Sequence, residues 1–380
     1  MVEWRYTLSE PDLDETEELA VGSCVRSGWL SMGPITKEFE TRFADMHGVP
    51  HAIAVSNGTA ALHLALLALG IGARPDDEVV QPSLNFVAAA NMTRAVGARP
   101  VFADIASLDD PTLDPDDMAR KITPNTKAIV VMHYGGYSAR LKPIMDIAGR
   151  YGIPVIEDAC HAPAQLSAEY PGRYLGTIGA VGCYSFFSNK NLTCGEGGMI
   201  VTHDSDLAAR IRLLRSHGMT TLSWDRHHGR ASSYDVVTHG FNYRIDDLRA
   251  SMALVQLGKL AAGNLHRQHI ATAYAEAVEK HGRGGIRFLH ADNPSGGTNH
   301  IAAVLVAAPR RDAVRQGLTR NGIQNSLHYP PIHRFSSFRD LFHAPLPKTE
   351  EYADRVITLP LHVKLSVTAP DDIIRYIAAN

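Results

Sequence analysis

Between about 50 and 215 the chain switches repeatedly from short apolar, β-branched runs to segments with helical spacing. AIAV (52–55) leads into AALHLALLALG, EVVQ (78–81) into NFVAAANMTRAVG, PVF (100–102) into PDDMARKI, and KAIVVMH (127–133) into KPIMDIAGRYG. PVIEDA (154–159), GAVGCYSF (179–186) and GGMIVT (197–202) follow. Strand, helix, strand at this cadence predicts βαβ units and an α/β fold with a mostly parallel sheet. From Arg244 the pattern changes: Ile245, Leu248, Met252 and Val255 recur at helical spacing, predicting one long helix to about 280. GGIRFLHADNPSGG (284–297) is rich in turn residues and reads as a boundary. Beyond it, a strand in HIAAVLVA (300–307), a helix in RDAVRQGLTRNG (311–322), a strand-like SLHYPP and a final helix predict a smaller α+β lobe. The expected division is 1–245, a connecting helix 246–283, and 284–380.

Several functional classes are disfavoured by composition. The 380 residues carry 37 basic and 40 acidic side chains, a net charge of −3, so there is no basic excess for general nucleic-acid binding. The longest apolar run, AALHLALLALGIG, falls short of the roughly 20 residues a membrane span needs. The start, MVEWRYTLSEPDLDETEE, is acidic and does not read as a signal peptide. Cys24, Cys160, Cys183 and Cys194 show no CxxC pairing, which fits reduced thiols and a cytoplasmic setting. Dinucleotide, P-loop, zinc-protease and nucleophile-elbow motifs are missing, and His217, His227 and His228 lack usable ligand partners, so no metal is expected.

Four local features carry chemistry, each with an ordinary alternative. Ser56-Asn57-Gly58-Thr59 joins a strand directly to a helix, where free N–H groups and the helix dipole suit a phosphate; a plain helix cap would look the same. Asp158 closes the strand PVIEDA, at the end of a parallel strand that faces a ligand crevice; it could hold a cationic ring nitrogen or cap the next helix. Lys190, among the apolar and small residues of SFFSNKNLTCGEGG, is either a desolvated, nucleophilic amine or a snorkelling surface lysine. Ser185, five residues earlier, is either a second phosphate ligand or a routine strand serine. A phosphate cradle, an acid for a pyridinium nitrogen and a Schiff-base lysine in this order are what pyridoxal 5′-phosphate requires.

The chain resembles the DegT-type sugar aminotransferases, fold-type I pyridoxal-phosphate enzymes, over nearly its whole length. The likeness runs through SGWLSMGP (27–34), SNGTAALHLAL (56–66), DEVVQPSLNFVAAAN (77–91), GARPVFADI (97–105) and ITPNTKAIVVMHYGG (122–136). It continues through PVIEDACHAPAQ (154–165), GCYSFFSNKNLTCGEGGMI (182–200), GFNYRIDDLRASMALVQL (240–257), LHYPPIH (327–333) and ITLPLH (357–362). The lysine block and GFNYR are its specific parts.

The resemblance implies a seven-stranded-type central sheet with a smaller C-terminal domain. It makes Lys190 the internal aldimine and Asp158 the partner of the pyridine nitrogen, with Gly58, Thr59 and Ser185 on the phosphate. Phe86 would stack on the ring, the alternative being a buried helix aromatic, and His161 would sit near the ring's O3′, the alternative being a solvent-facing histidine. Asn242, with Arg244 close behind, would reach the phosphate of a neighbouring subunit, implying a homodimer with shared sites. The acceptor pocket would include the segment 219–239, with Trp224, Tyr234 and His239, and the His328-Tyr329 turn; a solvated loop is the alternative for the former.

Three departures stand out: Asn85 where Thr is more familiar, Ser188-Asn189 in place of Pro-Thr, and Cys160 and Cys194 flanking the site. A lysine at 190, rather than the histidine of the family's sugar dehydratases, favours transamination. The expected reaction moves an amino group from glutamate or glutamine to a nucleotide-linked keto-sugar or a keto-cyclitol, with pyridoxamine phosphate as the half-way form. A lyase or cyclase on the same fold, and a non-catalytic regulator, are the alternatives.

Overall fold

The computed structural model describes residues 3–221, 224, 229, 233–282, 284–341 and 344–379. Two N-terminal helices, α1 (Glu15–Ser27) and α2 (Pro34–His47), precede a seven-stranded sheet. Its strands are β1 (His51–Val55), β2 (Glu78–Pro82), β3 (Arg99–Ala103), β4 (Thr126–Met132), β5 (Val155–Asp158), β6 (Val181–Ser185) and β7 (Gly198–Thr202), in the spatial order β1-β7-β6-β5-β4-β2-β3. Every neighbouring pair from β6 to β3 is parallel. β7 runs antiparallel between β1 and β6. A reversed strand was not legible in GGMIVT, because an apolar run looks the same in either direction.

The strands are buried on both faces, as near-continuous apolar runs require. Alternate residues feed two separate cores. Val155, Tyr184 and Val201 pack with Phe39, Phe43 and Ile144 on one face. Ile156, Cys183 and Ile200 pack with Leu62, Leu64 and Ile211 on the other. The parallel register then lines up the strand ends. Met132 lies opposite Asp158, Asp158 opposite Cys183, and Gly198 opposite both Ser185 and Val55. One edge of the sheet therefore collects Ser185, Asp158 and the turn after β1.

Helix α3 (Gly58–Ala68) starts at that turn, capped by Asn57, whose side chain accepts the Ala60 N–H at 2.8 Å. No residue of the cap is wasted on a long loop, so the helix N-terminus abuts the sheet edge. The 35-residue helix Asp247–His281 begins at Asp246, which accepts the Arg249 N–H at 2.9 Å. Its first half, through Ala250, Ala253, Leu257 and Leu260, joins the core of the large sheet. Its second half, through Ile270, Ala271 and Tyr274, joins a third core over an antiparallel three-stranded sheet.

That small sheet corrects two sequence expectations. The turn-rich stretch 284–297 contains its first strand, Ile286–Phe288, in which Ile286 and Phe288 turn inward and Arg287 is less buried; the triplet is too short to stand out among glycines. SLHYPP forms no strand. It makes a single bridge, Ser326 to Thr358, because Pro330 and Pro331 have no N–H to continue a ladder. Among the described residues no helix is long and apolar enough to cross a membrane.

Candidate active site

A cavity of about 650 Å³ opens at the carboxyl edge of the large sheet. Gly58 and Thr59 line one end. Their N–H groups precede the first bonds of α3, the Ala60 and Ala61 N–H groups being taken by Asn57, so the dipole and free donors meet at one point. Close packing makes this turn possible only with glycine. A Cβ on Gly58 would lie 2.8 Å from the Ser185 Cβ, and a Cβ on Gly198 would lie 2.6 Å from the Asn57 backbone. Ser185 thus brings its hydroxyl against the same donors, an arrangement that could hold a phosphate.

Asp158 is 4% exposed on the cavity wall. Asn85 Nδ2 approaches one carboxylate oxygen at 3.3 Å, and the Cys160 N–H approaches the other at the same distance. No helix follows β5 directly, so the capping alternative for Asp158 is excluded. The Asn85 side chain, where the family more often has Thr, is thus a direct neighbour of this carboxylate.

Lys190 enters from the loop between β6 and β7 and also lines the cavity. Burial pushes its amine below the ordinary lysine range, while Cys160 and Asp158 oppose the shift. Nζ lies 3.3 Å from Nε2 of His300. A snorkelling lysine would reach solvent, and this one is held between buried partners. Of the neighbouring departures, Asn189 lines the cavity with a buried Oδ1 that lacks a hydrogen-bond partner, whereas Ser188 is exposed and bonds Gly195 O at 3.3 Å. Cys160 lines the cavity; Cys194 does not, being packed in the core with Phe186 and Ile245.

His161 is buried rather than solvent-facing. Its Nδ1 accepts the Gly135 N–H at 3.3 Å, which leaves the proton on Nε2 to donate to Tyr329 Oη at 2.9 Å. Burial first, then the Lys190 and His328 charges, hold its pKa well below the usual histidine value. His161 is therefore a neutral, tautomer-fixed imidazole at neutral pH. Phe86 precedes its helix, Ala88–Ala95, and is 56% exposed at the cavity, 6.1 Å from the Tyr329 ring; it is not a buried helix aromatic.

Asn242 is the site residue that stands apart. It is exposed, bridges to Ser216 and does not line this chain's cavity; Arg244 does not line it either. Tyr243 between them does, with its hydroxyl 3.0 Å from His63 Nδ1. In the segment 219–239 none of the described residues lines the cavity: Trp224 packs edge-on against Trp29 at 4.7 Å, and Tyr234 and His239 are exposed. Residues 222, 223, 225–228 and 230–232, with His227 and His228 among them, lie outside the described residues. His328 and Tyr329 do form part of the wall.

Tyr243 and His300 were missed by the sequence reading. Tyr243 could have been found inside GFNYR; His300 had no local signal, since it meets Lys190 across 110 residues.

The donor set fits pyridoxal phosphate: an anion cradle that a Cβ would fill, a buried carboxylate, and an amine of lowered pKa share one cavity. Comparison with known proteins agrees. The model of the DegT/DnrJ/EryC1/StrS aminotransferase family matches residues 11–378. The structure is similar to that of the aminotransferase TlmJ from Streptoalloteichus hindustanus, with 36% identity, 98% of each chain covered and a TM-score of 0.90. It is similar to DesI solved in the presence of its TDP-sugar product, with 29% identity, 100% of this chain and 93% of that chain covered, and a TM-score of 0.87. It is also similar to the PLP form of Spr1654 from Streptococcus pneumoniae, with 28% identity, 98% and 97% covered, and a TM-score of 0.88. The chain belongs to the DegT/DnrJ/EryC1/StrS aminotransferase family and is a pyridoxal-phosphate-dependent aminotransferase.

Proposed function

We propose that this aminotransferase moves an amino group from glutamate or glutamine to a keto-sugar linked to a nucleotide. One observation carries the reading: the Lys190 amine and the Asp158 carboxylate line the same cavity as the Gly58–Thr59 cradle. The sugar acceptor is supported by likeness to DesI, solved in the presence of its TDP-sugar product.

Bound pyridoxal phosphate supplies an aldehyde that bonds an amine and a ring that accepts electrons when its nitrogen is protonated. Asp158, buried and supported by Asn85, would hold the proton on that nitrogen. The Gly58 and Thr59 N–H groups and the Ser185 hydroxyl would bind the phosphate. Lys190 Nζ, which burial keeps from holding its proton tightly, removes and returns a proton at the substrate carbon that bears the amine. Phe86, exposed in the cavity, would cover one face of the ring, and His161, neutral by burial, would stand near O3′ without adding charge. Asn242 and Arg244 do not line this chain's cavity, which supports a homodimer in which they complete the neighbouring site.

The test is an absorption spectrum of the purified protein with pyridoxal phosphate, titrated with L-glutamate and L-glutamine, beside Lys190→Ala. A visible band that bleaches with one donor, and is missing in the variant, is the expected result. A band that ignores both donors would overturn the donor assignment and favour elimination chemistry.

A further inference from the structure

We propose that His300 is a positioning residue for Lys190, holding its free amine through a hydrogen bond to Nε2 whose direction is dictated by a chain of amides running back to the Pro163 carbonyl. The part this plays in amino transfer rests on the reading of Lys190 given above.

His300 belongs to the C-terminal part of the chain, two residues before the strand Ala302–Val306. Its backbone N–H donates to Gly135 O at 2.9 Å, which plants the ring against the large sheet's edge, 4.2 Å from the His161 ring. The side chain is 5% exposed. Nε2 lies 3.3 Å from Lys190 Nζ, and Nδ1 lies 3.1 Å from Asn191 Oδ1.

Which nitrogen carries the proton follows from fixed acceptors. Pro163 O can only accept, so the group 3.2 Å from it on Asn264 is the Nδ2 donor, and Asn264 Oδ1 faces the other way. Asn191 Nδ2 donates to that Oδ1 at 2.9 Å and to Thr298 O at 2.9 Å. Asn191 Oδ1 is thereby turned to His300 and must receive the Nδ1 proton. Nε2 is left with its lone pair, aimed at Lys190. Burial, followed by the positive charges of Lys190 and Arg267, keeps the imidazole neutral, so the acceptor survives at working pH.

A lysine that shuttles protons must be held in place whenever it is not covalently bound. Its long stem has many rotamers through which to wander, and an acceptor fixed by its neighbours removes that freedom. The same bond favours the ammonium form of Lys190 over the amine, because a neutral acceptor stabilises the charged donor. The other groups facing Lys190 are Asp158, Cys160, His161 and His328. Burial raises the Cys160 thiol well above its ordinary value and lowers His161 and His328, the latter to about 4, so none of these three changes charge between pH 7 and 8.

The experiment reads Lys190 directly in the full-length apoprotein. The rate at which 2,4,6-trinitrobenzenesulfonate labels the Lys190 peptide is followed against pH by mass spectrometry. His300→Phe keeps the volume and removes the acceptor; His300→Gln keeps an acceptor oxygen near the Nε2 position. Asn191→Leu leaves His300 in place but releases its tautomer, and serves if the His300 variants fold poorly. The apparent pKa of Lys190 is expected to fall by about one unit in His300→Phe and Asn191→Leu, and to stay close to wild type in His300→Gln. In the loaded enzyme the donor half-reaction should slow by roughly tenfold or more in His300→Phe, with little change in donor KM, and recover in His300→Gln. An unchanged pKa and pH profile in both His300→Phe and Asn191→Leu would overturn the proposal. So would an equal shift in His300→Gln, which would assign the effect to ring packing. A wild-type protein that forms no cofactor band would overturn the proposed function instead, and the apoprotein titration would still decide the contact between His300 and Lys190.

Discussion

Gly135 gives its N–H to Nδ1 of His161, and this one backbone contact decides how Tyr329 meets the cavity. With its proton on Nε2, His161 donates to Tyr329 Oη at 2.9 Å, so the phenol's own hydrogen is free to point at a bound molecule. Burial also holds the phenol well above its ordinary pKa, so it remains a donor at any working pH. Tyr329→Phe should therefore cost one hydrogen bond to the acceptor sugar, raising its KM about tenfold. The glutamate or glutamine half-reaction, followed alone by the bleaching of the cofactor band, should keep its rate within about twofold. An equal loss in both half-reactions would place Tyr329 at the cofactor and not at the acceptor.

Asp158 has few structural duties, so its proposed part at the ring nitrogen can be tested apart from folding. It caps no helix, and its contacts with Asn85 and the Cys160 N–H are both long, at 3.3 Å. Asp158→Asn, which keeps the shape and loses the charge, should slow the donor half-reaction by roughly 100-fold or more. The melting temperature of the apoprotein should change by only a few degrees. Stopped-flow absorbance and thermal unfolding, run on the same preparation, separate the two effects. A large fall in stability with a preserved rate would make Asp158 a structural residue.

The strands of the large sheet were legible because burial on both faces forces continuous apolar runs, as in AIVVM and GMIVT. Strand direction and the triplet Ile286–Phe288 were not, since neither leaves a mark on residue type. Within the cavity, Gly58, Thr59, Asp158, Ser185 and Lys190 could be picked out because each lies at or just beyond a strand end, where parallel topology puts the crevice. His300 could not: its contact with Lys190 exists only once the C-terminal lobe is laid against the sheet. Asn242 marks the other boundary of such reading, as it does not line this chain's cavity.

Gly58→Ala tests the cradle by steric means. The added methyl would stand 2.8 Å from the Ser185 Cβ and 3.3 Å from Cys160 Sγ, so the turn must move away from β6. Overpacking of this kind costs about 1–3 kcal/mol, and it falls on the turn proposed to hold the phosphate. Pyridoxal phosphate should bind at least tenfold more weakly, and pyridoxal without its phosphate should be little affected. Equilibrium titration of both, followed by absorbance, checks the difference; equal losses for the two would remove the phosphate from this turn.

Glu157, the residue before Asp158, points to the opposite side and holds the large sheet's core rather than the site. Its buried carboxylate accepts the Gly176, Ile178 and Gly179 N–H groups at 2.8, 2.7 and 2.6 Å, and lies 3.0 Å from His133 Nε2. His133 Nδ1 accepts the Ala139 N–H, so Nε2 is the donor to the carboxylate. Burial alone would raise the Glu157 pKa, but His133 and the backbone donors outweigh it and hold it below the ordinary 4.5. A depressed carboxylate pKa stabilises the fold above the unfolded value and loses that contribution as pH falls. Glu157→Gln places an NH2 group against a ring of donors and should cost about 3 kcal/mol at pH 7. The gap between wild type and variant, measured by urea unfolding, should be constant from pH 7 down to about pH 5. It should narrow as the pH drops further, because only the wild type has a charge to lose. A gap independent of pH down to 3 would mean that folding does not lower the Glu157 pKa.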